Sequence, residues 1–287
     1  MSNRFRLAIA TCQQQPFLIE SERYLIDSLS ECGITAQPVI WDDTQVKWSG
    51  FDGILIRTIW DYHKQHNRFL EWLDVLEQSG LIVGNPTELL AWNSHKFYLN
   101  ELQKHGITIP ATQLLPKGTD LNTIELVWDD FIIKPAVSAT AFQTFKLTPQ
   151  LLAERRSEIG LILNSKDTLM QQFIPSIATS GEWSLLFFNH IYSHAVLKQA
   201  DVGEYRVQAE YGGSYKKDTP NKLIIDFAEM VLSKIKTKSL YARVDMVIHD
   251  DVPLLMELEL IEPELFLLTD EIRSSFCNCI ADYFLSK

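Results

Sequence analysis

Two β-rich runs near the end of the chain, residues 241–248 and 253–261, constrain the fold most. They flank the turn-prone stretch His249, Asp250, Asp251. Side chains alternate faces along a strand. In the first run Ala242, Val244, Met246 and Ile248 form one apolar face, and in the second Leu254, Met256, Leu258 and Leu260 form another. The opposite faces then carry Tyr241, Arg243 and Asp245 against Glu257 and Glu259. A three-residue loop, 250–252, sets Asp245 across from Glu257. Three carboxylates and one arginine meeting on a sheet face repel unless a cation offsets them. Magnesium, held by hard oxygen ligands, suits Asp245, Glu257 and Glu259. The plain alternative is a solvated face with incidental charges.

Upstream, strands and helices alternate. Residues 5–10, 36–40 and 53–57 read as strands, and 19–32 and 67–79 as helices ended by Gly33 and Gly80. That order predicts a parallel α/β lobe over residues 1–85. A helix over 93–105, strands at 112–115, 131–134 and 144–147, and a helix over 149–160 suggest a small central lobe, 86–170. Strands at 169–173, 182–188, 191–198 and 205–210 follow, then a helix from Thr219 and Pro220 to about 236, the charged hairpin and a terminal helix. These make a third lobe, 171–287, and the fold class is α/β and α+β.

The chain has 287 residues, 46% of them hydrophobic, enough for a sizeable core. Its net charge of -11 argues against nucleic acid and anionic membranes as partners. No apolar run approaches the ~20 residues that span a bilayer. Cys12, Cys32, Cys277 and Cys279 show no zinc or disulfide framework and read as reduced thiols of a cytoplasmic protein. Cys277 and Cys279 read as small residues of the last helix, with a metal or redox pair as the alternative. The histidines show no ligand spacing, and the pattern leaves homo-oligomerisation open.

Phosphate-handling loops of the P-loop or Rossmann kind are absent from the sequence. Single lysines and arginines must serve instead. Lys134 ends a strand before Pro135, and small residues from Val137 to Ala141 follow it. Lys198 and Arg206 flank Gly203. Each of these cations alone reads equally as a surface charge.

In this order the segments resemble the ATP-grasp superfamily, in particular its glutathione synthetase-like and RimK-like members. Asn93 to Lys96 and Phe131 to Pro135 resemble the segments whose lysines, here Lys96 and Lys134, reach ATP. Ser138 lies where relatives carry a glycine-rich lid. Gln171, Gln172, Phe173 and Ile174 resemble the hinge that bonds adenine through its backbone, and Glu182 the acidic residue that takes the ribose. Lys198 and Arg206 resemble the basic segment facing the γ-phosphate. Arg243 and Asp245 match the Arg-x-Asp pattern of D-alanine–D-alanine ligases, and Glu257 and Glu259 the paired metal ligands.

The resemblance implies lobes that clamp ATP with Mg2+, and a ligase forming ADP and an acyl phosphate that an amine attacks. Lys198, Arg206 and Arg243 would be its catalytic cations. Residues 57–62 and 257–263 resemble a subgroup of stand-alone ligases that includes proteins similar to O-ureido-D-serine cyclo-ligase. From their place at a strand's carboxyl end, Arg57, Asp61 and Tyr62 are expected to bind a small amino-acid-like substrate. The alternative is an Arg57–Asp61 pair that braces the loop. A regulatory nucleotide binder, or a kinase that stops at phosphotransfer, are rival readings of the whole.

Overall fold

The computed structural model describes residues 4–286, so residues 1–3 and 287 lie outside it. Three sheets organise the chain. The first is wholly parallel, with strands β1 (Phe5–Thr11), β2 (Ile34–Ile40), β3 (Gly53–Thr58) and β4 (Ile82–Gly84) in the order β2-β1-β3-β4. Helices α1 (Tyr24–Glu31) and α2 (His66–Ser79) cover its faces. Helix α2 forms because Phe69, Trp72, Leu73 and Leu76 recur at helical spacing and are all buried; it stops where Gly80 takes φ 72°.

Between this sheet and the next come α3 (Thr87–Asn93) and α4 (Tyr98–Lys104). The central sheet is antiparallel, with β5 (Thr112–Leu115), β6 (Phe131–Pro135), β7 (Phe145–Leu147) and β8 (Thr168–Gln172) in the order β5-β8-β6-β7. Helices α5 (Pro149–Glu154) and α6 (Arg156–Ser165) pack on it. A short helix, α7 (Ser176–Ser180), leads into the third sheet. There β9 (Glu182–Phe188), β10 (Ile191–Gln199), β11 (Ser214–Lys217), β12 (Tyr241–His249) and β13 (Val252–Glu259) run antiparallel in the order β11-β10-β9-β12-β13. Helices α8 (Lys222–Leu232) and α9 (Asp270–Leu285) complete the chain.

Several expectations change. The helix read over 93–105 is two helices, broken where the Lys96 N–H donates to Ala136 O at 2.8 Å. Leu89, Tyr98, Leu99 and Leu102 place both in one core with residues of the third sheet and with Leu169 of β8 in the central one. Residues 205–210 form no strand, because the Glu204 carboxylate captures the N–H groups of Tyr205 and Arg206. Helix α8 is capped by Asn221, which accepts from Ile224 N, not by Thr219. The first helix is shorter than read, a 3-10 turn at Glu20–Glu22 preceding α1.

The hairpin pairs Asp245 with Glu257 and Arg243 with Glu259. It does so by a different route from the one expected. The loop has two residues, Asp250 and Asp251, both left-handed at φ 49° and 62°. A bulge at Met256, where the register shifts between Asp245 and Met246, supplies the missing residue. The bulge swaps the faces of β13. Leu255 and Leu258 are both core residues, whereas Leu254 and Met256, read as core, are only half-buried.

Candidate active site

One cleft of about 680 Å³ is walled by all three sheets. The first contributes the loop after β3, with Trp60, Asp61 and Tyr62; the central sheet contributes Lys134 and the segment after β8; the third contributes Lys198, Arg243, Asp245, Glu257 and Glu259. Lys96, Ser138, Gln171, Gln172, Phe173, Ile174, Glu182 and Arg206 also line it. Arg57 does not, and this corrects its expected contact with substrate. Its side chain is 1% exposed and paired with Glu22 at 2.5 Å, and Nη2 donates to Pro263 O at 2.8 Å. The bracing alternative also named the wrong partner: Asp61 accepts instead from Trp41 Nε1 at 2.8 Å. Leu7, Ile9 and Leu55 bury β1 and β3 so fully that Arg57 on β3 can reach only an internal carboxylate.

Charges across the cleft are interlocked. Lys96 Nζ lies 2.7 Å from Glu257 and donates to Ser138 O at 2.8 Å. Lys198 Nζ lies 2.8 Å from Glu182 and 3.5 Å from Asp245. Glu182, expected at a ribose, is thus already engaged by Lys198. Arg243 grips both oxygens of Asp245 and also bonds Glu259. Arg206 pairs with Glu204 at 2.5 Å and stacks over Tyr211. Lys134 alone among these cations has no ion-pair partner among the described residues. Burial pulls its pKa down to about 8, against the pull of Glu257.

Burial would raise the Asp245 and Glu257 carboxyls, but their lysine and arginine neighbours outweigh it and hold both below the ordinary value. Glu259 goes the other way, to about 7, through burial and the charges of Asp245 and Glu257, with Arg243 opposing. The cleft lining holds more acidic side chains than lysines and arginines. Among the described residues no three His, Cys, Asp or Glu side chains stand ready as a metal cage. The side-chain cations instead hold Asp245, Glu257 and Glu259. As a donor set, three hard carboxylates on paired strands short of positive charge fit magnesium.

At the hinge, the N–H groups of Gln172 and Phe173 already donate to Ala111 O and Asp130 O, while that of Ile174 has no partner among the described residues. The small-residue loop after Ser138 bends through left-handed Thr140, Ala141 and Gln143, at φ 48°, 54° and 55°. Such a turn exposes backbone N–H groups without a glycine.

Sequence reading missed several residues here. Asn93, from α3, accepts from Leu260 N and donates to Leu258 O, and Tyr98 Oη bonds both N–H and C=O of Leu258. They close the free edge of β13, which carries the glutamates. Glu262 and Glu264 also line the cleft. They lie beyond the end of β13, where strand alternation no longer indicates direction.

Two unlike proteins share this architecture. D-alanine–D-alanine ligase from Bacillus anthracis, solved with ATP, superposes with a TM-score of 0.69 at 15% identity over 98% of this chain and 96% of its own. A RimK domain ATP-grasp protein from Sphaerobacter thermophilus does so at 0.70 and 18%, over 98% and 99%. The chain thus has the fold of these ATP-grasp proteins. More particularly, it is similar to the cycloserine biosynthesis protein DcsG of Streptomyces lavendulae, 25% identical over 86% of this chain and 88% of that one. The crystal structure of D-cycloserine synthetase DcsG matches with a TM-score of 0.85 at 24% identity, over 97% of this chain and 99% of its own. Residues 7–85 match the family described as the N-terminal domain of D-cycloserine synthetase DcsG.

Proposed function

We propose that the chain activates the carboxylate of a small amino-acid-like substrate with ATP and magnesium, and passes the acyl group to an amine. The observation that carries this reading is the unpaired Lys134 ammonium in the same cleft as Arg243, Asp245, Glu257 and Glu259. A buried cation without a partner is costly and suits an incoming phosphate.

In the first step an oxygen of the substrate carboxylate attacks the γ-phosphorus. The bond to the β–γ bridging oxygen breaks and ADP leaves. In the second, an amine attacks the acyl carbon and inorganic phosphate departs with the bonding pair. Positioning and charge neutralisation carry both steps. Ile174 N–H, without a partner among the described residues, would donate to adenine. Lys134 and Lys96 face the phosphates from the central side, with the loop after Ser138 closing over them. Lys198, Arg206 and Arg243 face the transferring group. Asp245, Glu257 and Glu259 would hold magnesium, which supplies charge neutralisation on the phosphate oxygens. Glu182 keeps Lys198 in place by its 2.8 Å ion pair. Asp61 and Tyr62 wall the substrate end.

Hydroxylamine trapping tests the reading. With ATP, magnesium and a panel of amino acids, the enzyme should release ADP and yield a hydroxamate, and chelation of magnesium should stop both. ADP release without hydroxamate would mark a kinase rather than a ligase, and refute the acyl phosphate.

A further inference from the structure

Cysteines that are neighbours in sequence and cysteines that are neighbours in space differ in this chain. Cys277 and Cys279 both lie on α9, but residues two apart on a helix point to different sides. Cys279 turns toward the start of β12, where Sγ donates to Leu240 O at 3.9 Å. Cys277 turns toward α1 and enters the core that α9 shares with the first sheet. Its neighbour there is Cys32, the residue that ends α1 before Gly33 turns left-handed at φ 86°.

Helices α1 and α9 pack against each other along α1. At the start of α1, Tyr24 Oη donates to Arg273 O at 3.4 Å, and the Arg273 guanidinium lies over the Tyr24 ring at 5.6 Å. Leu25 and Leu29 of α1 then share one core with Phe276 and Ile280 of α9. At the end of α1 stand the two thiols. Cys277 is 4% exposed and Cys32 is half-buried, so one sulfur is sealed while the other can be reached from solvent. The Cys277 thiol is pushed up to about 12, first by burial and then by the charge and the hydrogen-bonding side chain of Cys32. Neither residue lines the cleft. A reachable sulfur backed by a buried one is the arrangement in which a mixed disulfide on the first is displaced by the second.

We propose that Cys32 and Cys277 form a reversible disulfide site, oxidised by low-molecular-weight disulfides, that joins the first lobe covalently to the terminal helix. The Cys32 thiolate attacks one sulfur of the small disulfide. That S–S bond breaks, and one thiolate leaves with the bonding pair and takes up the proton that Cys32 gave up. With Cys32 capped, its part of the upward push on Cys277 falls away. Cys277 Sγ then attacks Cys32 Sγ, its proton passing to the second departing thiolate. Two protein thiols become one disulfide, and the small disulfide becomes two thiols. The crosslink closes a loop of most of the chain, and stabilisation grows with the length of the loop closed. The site stands apart from the ligase reading.

The test uses the full chain, incubated with oxidised glutathione and then freed of it. Free thiols counted after denaturation should fall from four to two. Peptide mapping should find Cys32 joined to Cys277. The melting temperature should rise by roughly 5–10 °C, as crosslinks closing long loops do in chains of this size, and dithiothreitol should reverse both changes. Cys32→Ser and Cys277→Ser should each abolish the crosslink and the rise, and Cys32→Ser, at the half-buried position, serves if Cys277→Ser does not fold. Cys279→Ser should leave both in place. Four thiols remaining, glutathione retained on Cys32 without closure, a crosslink through Cys12 or Cys279, or a closed crosslink with no rise in melting temperature overturns the proposal.

Discussion

Lys134 shows what a buried charge costs the residue that bears it. It is the penultimate residue of β6, just before Pro135, so the strand fixes its stem while the ammonium enters the cleft. Burial has lowered its pKa from 10.5 to about 8. The sign of the linkage follows. Between about pH 8 and 10.5 the unfolded chain holds a proton that the folded chain has released, so this group's contribution to stability improves as pH rises through that window. Below it the buried charge is borne in full. Lys134→Met should therefore melt at a higher temperature than the parent at pH 7, with the gap closing toward pH 10.5. The same variant should bind ATP at least roughly tenfold more weakly, since a charge-assisted contact is lost. In the parent, ATP affinity should fall above about pH 8, and the variant should lack that limb. Calorimetric titrations across pH, set beside melting curves, measure both. A variant that loses stability while keeping its ATP affinity would make Lys134 structural.

The hairpin of β12 and β13 shows which parts of an element can be read from sequence. Asp245 opposite Glu257 was legible, because alternation and a loop of guessed length fix parity. The bulge at Met256 was not. A two-residue turn plus one extra residue leaves the charged pairing where a three-residue turn would, but it exchanges Leu254 and Met256 for Leu255 on the core side. No local residue type marks that exchange. The grip on the free edge of β13 was equally hidden, since Asn93 and Tyr98 lie more than 150 positions away in sequence. Arg57 failed for a related reason. Its place at a strand end was read correctly, but Glu22, its partner, lies in a turn with no charge pattern. Tyr98→Phe tests how far the edge is held. It removes the bonds to Leu258 N and O, at 2.8 and 2.9 Å, while keeping the ring in its packing. Leaving those buried groups unpaired should cost about 1–3 kcal/mol in urea unfolding. Because Leu258 sits between Glu257 and Glu259, half-maximal activity should also need more magnesium. An unaltered magnesium requirement in a destabilised variant would separate the edge from the glutamates proposed to hold magnesium.

At the scale of the molecule, the first and last parts of the chain share one core. Helix α9 lays Phe276, Ile280 and Phe284 between the parallel sheet, at Leu7, Ile9 and Leu55, and the third sheet, at Leu186, Phe188 and Tyr241. Phe284 is seated so closely on β3 that a Cβ at Gly53 would stand 2.8 Å from its ring, which is why that strand begins with glycine. This core fixes the distance between the Asp61–Tyr62 wall and the third sheet, whereas the end of the cleft proposed to take ATP lies between the central and third sheets. The two ends of the cleft therefore depend on different cores. Phe284→Ala should cost about 3–5 kcal/mol of stability, as truncating a buried aromatic does. It should also raise KM for the carboxylate substrate severalfold while leaving Kd for ATP within twofold of the parent, a shift of under ~0.4 kcal/mol. Steady-state kinetics with saturating ATP and separate nucleotide calorimetry give the two numbers. Equal weakening of both ligands would mean that the three sheets respond as one body. A change in ATP affinity alone would mean that the parallel sheet has no part in the substrate end of the cleft.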